Sequence, residues 1–402
     1  MDTEQSQVTP VVIAGGGLVG ALTALLLARV RPDWTVTVLE PREQGPAQDK
    51  RTIALAAGTV AILNKLGVWS ALAEQACRIR HIHVSDRGYL GMTRLHAQQQ
   101  GVEALGEVIA AAALNQELYQ ACIAQPNIDW RGGYRCLEVE RGQDFNVLHC
   151  DTPSGATTLS CRLVLAADGQ RSQLREQLGI RVQQTDYQQH GIIAILDLAD
   201  DLDGWAYERF TETGPIALLP MPNRQASLVW TLTPEQAAEV EALSDDSFVR
   251  AAQGAFGYRA GRFTGVRLRV HYPLQLQLAE QHTAQRAALI GNASHTLHPI
   301  AGQGFNLGVR DALAIAAVLA EADDPGSYRV LSDYWQAREA DYQRTIGLTD
   351  LLVRGFSNHY WPLNLLRNIG LSTLEAVTPL RDAFAEQTMG LGARAPQLKE
   401  PQ

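Results

Sequence analysis

A glycine-rich turn close to the start of the chain has the spacing of a phosphate-binding site. Residues 15–20 read GGGLVG, which fits the pattern G-x-G-x-x-G through Gly15, Gly17 and Gly20. The first glycine permits a tight turn, the second lets the backbone approach a pyrophosphate, and the third allows a helix to pack closely on a strand. A helix that begins here offers free N–H groups and a partial positive charge to phosphate oxygens. The turn therefore predicts a site for a nucleotide diphosphate.

The segments on either side of this turn have the pattern of a βαβ unit. Residues 11–14 (VVIA) form a short apolar run suited to a buried parallel strand, and residues 21–30 have a helical pattern. Residues 35–39 (TVTVL) predict a second strand, which ends at Glu40, 20 residues beyond Gly20. A carboxylate at this place accepts hydrogen bonds from ribose hydroxyls and favours an adenosine ribose without a 2′-phosphate. Together these features predict a dinucleotide-binding fold.

The other strands of this fold are spread along the chain. Residues 163–167 and 287–290 are apolar runs that end at Asp168-Gly169 and Gly291-Asn292, and a helix is predicted over residues 307–321. We therefore expect a discontinuous domain with other material inserted between its strands. The predicted division is a nucleotide-binding domain at 1–75, 100–180 and 277–345, a substrate domain at 76–99 and 181–276, and a C-terminal helical extension at 346–402.

Composition and charge argue against several other classes of protein. The chain has 402 residues, enough for two or three domains, and 46% of them are hydrophobic. A net charge of −9 argues against a nucleic-acid-binding protein and against a general attraction to anionic lipid. The five cysteines are odd in number and form no CxxC, which favours reduced thiols in the cytoplasm over disulfides or a zinc site. The uncharged run at residues 11–28 is interpreted as a buried strand, turn and helix, not as a membrane anchor.

Six motifs along the chain carry a resemblance to a known family. They are GGGLVG at 15–20, DKRTIAL at 49–55, HVSDRG at 83–88, AADG at 166–169, GPIALLP at 214–220 and, most specific, HPIAGQGFNLGVRDA at 298–312. Over nearly its whole length the chain resembles the FAD-dependent aromatic hydroxylases of the para-hydroxybenzoate hydroxylase type. Within them it is most similar to the 2-octaprenyl-6-methoxyphenol hydroxylases of ubiquinone biosynthesis. The resemblance implies an α/β fold: a Rossmann-like FAD-binding domain, an inserted mixed-sheet substrate domain and C-terminal helices.

The resemblance also implies which residues hold FAD. The glycine turn and Glu40 would hold the ADP half, Arg51 would lie near the flavin, and Asp168-Gly169 would match a motif associated with FAD and with docking of NAD(P)H. Residues 302–306 would wrap the isoalloxazine ring, where the N-terminus of a helix stabilises the negative charge of the reduced flavin. The full predicted set is Gly15, Gly17, Leu18, Val19, Gly20, Glu40, Arg51, Gln116, Asp168, Gly169, Gly291, Asn292, Pro299, Gly302, Gln303, Gly304, Phe305 and Asn306.

The sequence departs from the family's pattern at two places. Gly291-Asn292 stands where the motif that contacts the ribityl chain is usually Gly-Asp. Asparagine still donates and accepts hydrogen bonds but carries no charge, and the same asparagine is typical of the branch named above. Residues 110–113 are four alanines where relatives often carry polar residues, a departure that bears on the flavin contacts of the following helix, including Gln116.

The activity that the resemblance implies is aerobic hydroxylation of an aromatic ring. NAD(P)H, docking transiently, would reduce FAD, and O2 would then give a flavin hydroperoxide that transfers oxygen to a polyprenyl methoxyphenol of the ubiquinone pathway. Most of this chemistry belongs to the flavin, so no catalytic residue is assigned. The alternatives are another ring position, another phenol, an FAD-dependent dehydrogenase or reductase, and a non-catalytic FAD-binding protein.

A small hydrophobic phenol would need an apolar route for its tail. The partners expected for such an enzyme are a ubiquinone-biosynthesis protein complex, a peripheral contact with the inner face of a membrane, and a second copy of the chain. Nucleic acid is not expected as a partner. Residues 363–371 form an apolar stretch that is a candidate for a membrane or partner contact, although packing onto the core is favoured.

Several residues have a structural interpretation that competes with a functional one. His81 and His83 lie on a predicted strand with both side chains on one face, and a surface or interface pair is favoured over a metal site. No metal is predicted. For His295 and His298, near the predicted ring loop, structural hydrogen bonds are favoured over a role in setting a pKa. Among the inserted strands, Leu219, Met221 and Trp230 are candidates for lining a substrate cavity, with core packing favoured for each.

Overall fold

A computed structural model describes residues 8–46, 49–299, 302–356, 370, 373 and 375–389. Most of the strands belong to two large sheets, and three strands form a small one. In chain order the strands are β1 (Thr9–Ala14), β2 (Val36–Glu40), β3 (Thr52–Ala56), β4 (Cys77–Ile79), β5 (His81–Asp86), β6 (Met92–His96), β7 (Gly106–Ala110), β8 (Ile128–Gly132), β9 (Arg135–Glu140), β10 (Asn146–Thr152), β11 (Gly155–Ala166), β12 (Val182–Leu198), β13 (Trp205–Thr211), β14 (Gly214–Met221), β15 (Gln225–Leu232), β16 (Phe263–Ala279), β17 (Thr283–Ala284), β18 (Ala287–Leu289) and β19 (His295–Thr296).

One face of the first sheet is covered by helices and the other by β9, β10 and one short helix. One face of the second sheet is also covered by helices. They are α1 (Leu18–Val30), α2 (Ala57–Lys65), α3 (Ala111–Ala124), α4 (Gln173–Gln177), α5 (Pro234–Glu241), α6 (Asp245–Phe256), α7 (Gln303–Leu319), α8 (Tyr328–Phe356) and α9 (Thr378–Thr388). The apolar stretch at residues 363–371 falls almost entirely outside the described residues. Among the helices that are described, none combines the length and the apolar character needed to cross a membrane.

The first sheet has a parallel centre in the order β18-β11-β1-β2-β8. Its central strand β1 pairs in parallel with β2 and with β11, and all five residues of β2 are buried. Parallel strands of this kind are apolar along their length because both faces are covered, here by helices on one side and by β9, β10 and α4 on the other. The carboxyl ends of β1 and β11 meet at Ala14 and Ala166, so the segments that follow these strands lie at one edge of the sheet.

The uncharged run at residues 11–28 is divided between β1 and α1, as predicted. Nine residues of α1 are buried, and the helix packs between the sheet and α7. Burial on all sides explains why the run lacks charge without any lipid contact. The later helix begins earlier than predicted, at Gln303 in place of Leu307, because Gly302 adopts a left-handed conformation that starts it there.

The second sheet has the order β19-β16-β12-β15-β14-β13-β5-β6. One of its faces packs on α5 and α6 through a core that includes Leu196, Leu218, Leu228, Trp230 and Phe248. The strands predicted at 205–219 and 227–231 correspond to β13, β14 and β15. Trp230 belongs to this core, which confirms the prediction that it packs in the core.

A small antiparallel sheet, β3-β7-β4, lies between the two large sheets. The hydroxyl of Thr52 on β3 donates a hydrogen bond to the hydroxyl of Ser227 on β15, 175 residues away in the chain. Residues of β4 fall within the predicted substrate range, yet the strand pairs with β7 of the predicted nucleotide range. The predicted domain boundaries themselves stay predictions.

A buried network of ion pairs attaches α8 to α7. The Arg338 guanidinium donates to Asp311 at 2.8 Å and also to Asp341, and Arg310 donates to Asp341 at 3.0 Å. All four side chains are at most 9% exposed. Two arginines and two aspartates balance each other's charge, which is the condition under which ions are tolerated in a protein interior.

Arg338→Met should lower the free energy of unfolding by about 3–5 kcal/mol, because it leaves two buried carboxylates without their shared partner. Urea denaturation at saturating FAD measures the change. Arg329→Met is the matched control on the same helix: Arg329 is 92% exposed and lies 3.9 Å from Asp333, so its loss should cost less than about 1 kcal/mol. Equal losses for the two variants would contradict the assignment of the network as a main support of α8.

Candidate cofactor site

The glycine turn between β1 and α1 is folded tightly against neighbouring backbone. Gly15 has φ of +110°, and a Cβ atom there would overlap the carbonyl of Ala167. A Cβ atom on Gly20 would overlap the carbonyl oxygen of Gly15, and one on Gly16 would meet the Trp130 ring at 2.5 Å. The turn therefore requires glycine at these positions because protein atoms occupy the space that a side chain needs.

The N-terminus of α1 faces open space. Gly17 is the N-cap residue, and a Cβ atom built on it would meet nothing within 4 Å. Glycine has no side chain with which to cap the helix, so the N–H groups of the first turn stay available to a ligand. Leu18 and Val19 form that first turn, and Val19 packs towards Gly291 and Gly308.

Glu40 holds the glycine turn from the end of β2. Its carboxylate accepts hydrogen bonds from the backbone N–H groups of Gly16 at 3.0 Å and Arg42 at 3.1 Å, and the residue is 7% exposed. A carboxylate with two oxygens accepts several further hydrogen bonds. Glu40 is therefore placed next to the turn, where a ribose attached to the diphosphate would lie.

Asp168 and Gly169 follow β11 at the same edge of the sheet. The Ala167 N–H donates to Ala14 at 2.8 Å, which brings this segment against the glycine turn. The Asp168 carboxylate accepts a hydrogen bond from the backbone of Leu174 at the start of α4. Gly169 has φ of +88°, and a Cβ atom on it would meet no neighbour within 4 Å. Asp168 thus shapes the turn, and Gly169 leaves its outer side open.

A second turn of the site follows β18. Gly291 has φ of +57°, and a Cβ atom on it would lie 3.0 Å from the Val19 side chain of α1. Its N–H donates to the Asp311 carboxylate at 3.0 Å. Asn292, the next residue, is exposed, so its amide is available to a ligand. The structure therefore places the predicted Gly291-Asn292 turn directly beside the first turn of α1.

The predicted ring loop leads into α7. The N–H of Gly302 donates to Pro299 at 3.0 Å, and Gly302 has φ of +60° as the N-cap of the helix. A Cβ atom on Gly304 would meet nothing within 4 Å, whereas Gln303 is 8% exposed. Phe305 packs against the core beneath α1 and α7. A second helix N-terminus without a side-chain cap thus opens onto free space, at Gly304.

Asn306 has a structural role that the sequence did not indicate. Its amide oxygen accepts from the Ala56 N–H at 2.9 Å and the Thr59 hydroxyl at 2.8 Å, and its amide NH2 donates to Ala54 at 3.0 Å and Gly302 at 2.9 Å. These four bonds equal the two acceptor and two donor positions of an amide. Asn306 therefore connects the ring loop to β3, and protein atoms occupy all the hydrogen-bonding positions of its side chain.

Arg51 lies at the start of β3 and pairs with Asp49. Its guanidinium donates to that carboxylate at 2.6 Å, and this hydrogen bond raises the pKa of Arg51. The Arg51 carbonyl accepts from Ala111, the first residue of α3. Gln116, further along α3, is exposed. Arg51 and Gln116 are thus on connected elements, although no contact joins either side chain to the glycine turns within the described residues.

Two residues that support the site were not predicted from the sequence, and the first is Asp311. It is 2% exposed and bonds both Gly291 and Arg338. It lies in the HPIAGQGFNLGVRDA motif, so its position near the ring loop was visible, but the partners that give it a role are distant in sequence. Thr59, which bonds Asn306, was also not predicted.

His295 has weaker polar contacts than predicted. Within the described residues neither ring nitrogen makes a hydrogen bond of good geometry, and its polar neighbours are the Gly304 backbone and Asp311, 3.6 Å from Nδ1. Complete burial lowers the pKa of His295 to about 4, although Asp311 acts in the opposite direction. Burial also lowers the pKa values of His298 and His282 to about 4, so all three rings are neutral at physiological pH.

His81 and His83 each contact protein neighbours. β5 pairs in parallel with β13, which places His81 beside Trp205 and His83 beside Tyr207. His83 is 3% exposed and its Nε2 lies 2.8 Å from Arg259, so the expectation of a surface pair is wrong for this residue. The pairing of β5 with β13 buries the His83 ring, and the sequence of β5 alone does not show that pairing.

The second sheet turns a largely apolar face towards β3. Ser227, which bonds Thr52, shares its face with Val229 by alternation, and the register places Ile195 and Leu219 opposite Ser227. On this face Ile195, Ala217, Val229 and Val270 are half-buried, in contrast to the fully buried residues of the α5–α6 side. Side chains of this kind can wall a cavity for an apolar ligand.

The site fits FAD by three features of its own geometry. Open space lies over Gly17, Gly169 and Gly304, where a side chain would otherwise reach. Two helix N-termini with available N–H groups suit a diphosphate and an electron-rich ring. Val19 and Gly291 connect the two regions, and Glu40 stands beside the first.

Comparison with known proteins agrees with this geometry. A family model described as FAD binding domain matches residues 8–348. Ubiquinone hydroxylase UbiL of Rhodospirillum rubrum is 34% identical over 402 residues, covering 98% of this chain and 92% of that protein. The 3-demethoxyubiquinol 3-hydroxylase of Escherichia coli (strain K12) is 32% identical over 395 residues, covering 96% of this chain and all of that protein. The crystal structure of p-nitrophenol 4-monooxygenase from Pseudomonas putida DLL-E4 superposes with a TM-score of 0.79 at 19% identity, covering 96% of this chain and 99% of that one, and shows the same fold.

Gly20→Ala should weaken FAD binding by about tenfold or more, because the new methyl group overlaps the Gly15 carbonyl and forces α1 away from the turn. Titration of the FAD-free protein, followed by flavin fluorescence, measures the dissociation constant. Gly347→Ala in α8 is the control, since a Cβ atom there meets nothing within 4 Å. The control should bind FAD normally and be slightly more stable. Unchanged affinity in the Gly20 variant would refute the packing argument.

Four buried histidines, His83, His282, His295 and His298, should make the protein sensitive to mild acid. Their pKa values are about 4 in the folded state against an ordinary 6.5, so the unfolded chain binds more protons between these values and stability falls as pH falls through this range. Each should remove roughly 1–2 kcal/mol of stability between pH 7 and pH 5. Urea denaturation at several pH values should show a shallower loss for His295→Gln than for the wild type. His149→Gln, at a histidine whose side chain is 42% exposed, is the comparison variant. An identical slope in the wild type and His295→Gln would contradict the prediction.

Proposed function

This chain belongs to the FAD-dependent monooxygenase family that includes the hydroxylases of ubiquinone biosynthesis, and we propose that it hydroxylates the aromatic ring of a polyprenyl methoxyphenol with NAD(P)H and O2. The observation that carries the choice of substrate is the half-buried apolar face of the second sheet, opposite β3 and the ring loop. The names of the two relatives support the pathway.

In this reaction the protein would hold FAD, orient the substrate and exclude water from the site. The N-termini of α1 and α7 would hold the diphosphate and the ring of FAD, with Glu40 at the ribose, through backbone N–H groups and a carboxylate. FAD supplies the redox chemistry and the activation of oxygen. The apolar face formed by Ile195, Ala217 and Val229 would keep the site dry. The overall reaction converts ArH, O2, NAD(P)H and H⁺ into ArOH, H2O and NAD(P)⁺.

Tyr272 is the polar group that the proposal places at the aromatic ring of the substrate. Its ring stands over Gly191, where a Cβ atom would lie 3.2 Å from Cζ, and it is half-buried close to Arg51. Burial raises the pKa of Tyr272 to about 12, so its hydroxyl stays protonated at neutral pH and is able to donate a hydrogen bond to a ligand. A phenolic oxygen is a suitable acceptor for that donor.

A second candidate is hydroxylation at another position of the ring. It is favoured by the E. coli relative, whose name assigns it to position 3 and whose whole length is covered. The same residues serve either position, because in the proposal they would hold the flavin and form the apolar wall of the site. The expected partners are also part of the proposal. They are a biosynthetic complex, a second copy of the chain and a peripheral contact with the inner face of the membrane.

The FAD-loaded protein, given NAD(P)H, 18O2 and a prenylated methoxyphenol, should form a product that carries one 18O atom per ring. Mass spectrometry detects the label, and fragmentation or NMR of the product identifies the hydroxylated position. A reaction in H2 18O with unlabelled O2 is the control and should leave the product unlabelled. Oxygen consumption without label in the product would show an oxidase or dehydrogenase in place of a hydroxylase.

A further inference from the structure

Two cysteines lie opposite each other on the neighbouring antiparallel strands β9 and β10. His149 of β10 lies opposite Glu138 of β9, but the next residue of β10, Cys150, lies opposite Cys136. Leu137 is therefore an extra residue of β9, and such a β-bulge changes which side chains face each other across a pair of strands. Without the bulge Cys150 would lie opposite Leu137. The bulge is thus the feature that brings the two cysteines together.

The two cysteine side chains share one face of the strands. Cys150 belongs to an apolar cluster that includes Leu148, and Cys136 packs against the same cluster while only partly buried. A hydrogen bond between the two thiols lowers the pKa of Cys150 and raises the pKa of Cys136. Both residues are free thiols in this structure. The two sulfur atoms are therefore in contact without being bonded.

The backbone around the two cysteines already has the spacing that a disulfide needs. The Cα atoms of directly opposite residues in an antiparallel pair are about 4.5–5.5 Å apart. A disulfide is compatible with Cα separations of about 4.4–6.8 Å. Because the first range lies within the second, an S–S bond between Cys136 and Cys150 requires rotation of the side chains and no displacement of β9 relative to β10.

We propose that Cys136 and Cys150 form a site of reversible oxidation, at which hydrogen peroxide converts the two thiols into one disulfide. One sulfur takes an oxygen atom from H2O2 and becomes a sulfenic acid, and a water molecule is released. The second sulfur then attacks the first, so that the S–S bond forms, the S–O bond breaks and a second water molecule leaves. Each sulfur gives up one electron and the peroxide takes up two. Two thiols and one H2O2 thus become one disulfide and two H2O.

An enzyme of this family is itself a source of the oxidant. When NAD(P)H, H⁺ and O2 react at the flavin and no aromatic ring takes up oxygen, the atoms balance as NAD(P)⁺ and H2O2. The cysteine pair is near one turn of the candidate cofactor site, because the charge of Asp168 acts on the Cys136 thiol and α4 packs on β9. An isolated cysteine that meets peroxide proceeds to the irreversible sulfinic acid, whereas a partner thiol in contact stops the oxidation at a disulfide.

The test exposes the FAD-loaded protein to H2O2, alkylates the remaining thiols with iodoacetamide in acid-quenched, denatured samples, and maps all cysteines by mass spectrometry. The wild type should lose two of its five free thiols and give one cross-linked pair of peptides that joins Cys136 to Cys150. Dithiothreitol should restore both thiols. Cys150→Ser should form no disulfide, and its Cys136 should gain oxygen that dithiothreitol does not remove.

Cys77→Ser is the matched control. Cys77 is also partly buried on an antiparallel strand, but it lies opposite Val108, so this variant should form the same disulfide as the wild type. Retention of all five thiols by the wild type, after an exposure to H2O2 that fully oxidises glutathione, would overturn the inference. Cross-linking of a different pair, or oxygen added to Cys136 of the wild type without a cross-link, would also overturn it.

The peptide map of the wild type decides the result even when a serine variant does not fold, which flavin absorbance and thermal unfolding would show. The inference goes beyond the proposed function, because the added peroxide takes the place of any product of turnover. Failure to hydroxylate a phenol therefore leaves this test unchanged, and failure to form the disulfide leaves the proposed hydroxylation unchanged.

Discussion

The buried carboxylate of Asp311 is the interaction on which the position of the Gly291 turn relative to α7 and α8 depends. It accepts one hydrogen bond from the Gly291 N–H and another from Arg338, and so joins α7, the turn after β18, and α8. Removing a carboxylate from water is costly unless such partners replace the water. Because α7 begins at the ring loop and Gly291 packs on Val19 of α1, this carboxylate sets the relation between two helix N-termini.

Backbone groups and side chains have different roles in the site. The helix N-termini at Gly17 and near Gly304 border open space, and their glycines keep that space free of side chains. The side chains that the proposal places beside the substrate are apolar and lie on the second sheet. The Thr52–Ser227 hydrogen bond joins that sheet to β3. This division suits a reaction in which the flavin performs the chemistry, because the protein needs only to orient the substrate and keep water away.

Sequence reasoning worked where one contiguous segment carries its own geometric requirement. The glycine turn, the strand before it and Glu40 were placed correctly, since their spacing encodes a βαβ unit. It worked less well for side chains whose partners come from elsewhere. Asn306 lies in the predicted loop, yet its amide is taken up by β3 and α2. His83 is buried by pairing with β13, and His295 makes weaker polar contacts than expected.

The sequence by itself determined the family, the glycine turns and the helices that begin at them, because short spacings dictate local backbone geometry. Only the tertiary structure decided that Asp311 supports Gly291, that Ser227 meets Thr52, and that α9 packs in the same apolar cluster as Ala54 of β3. These contacts join residues that are between 20 and more than 300 positions apart. Their formation depends on how whole sheets and helices pack, and no local pattern of residue types specifies that.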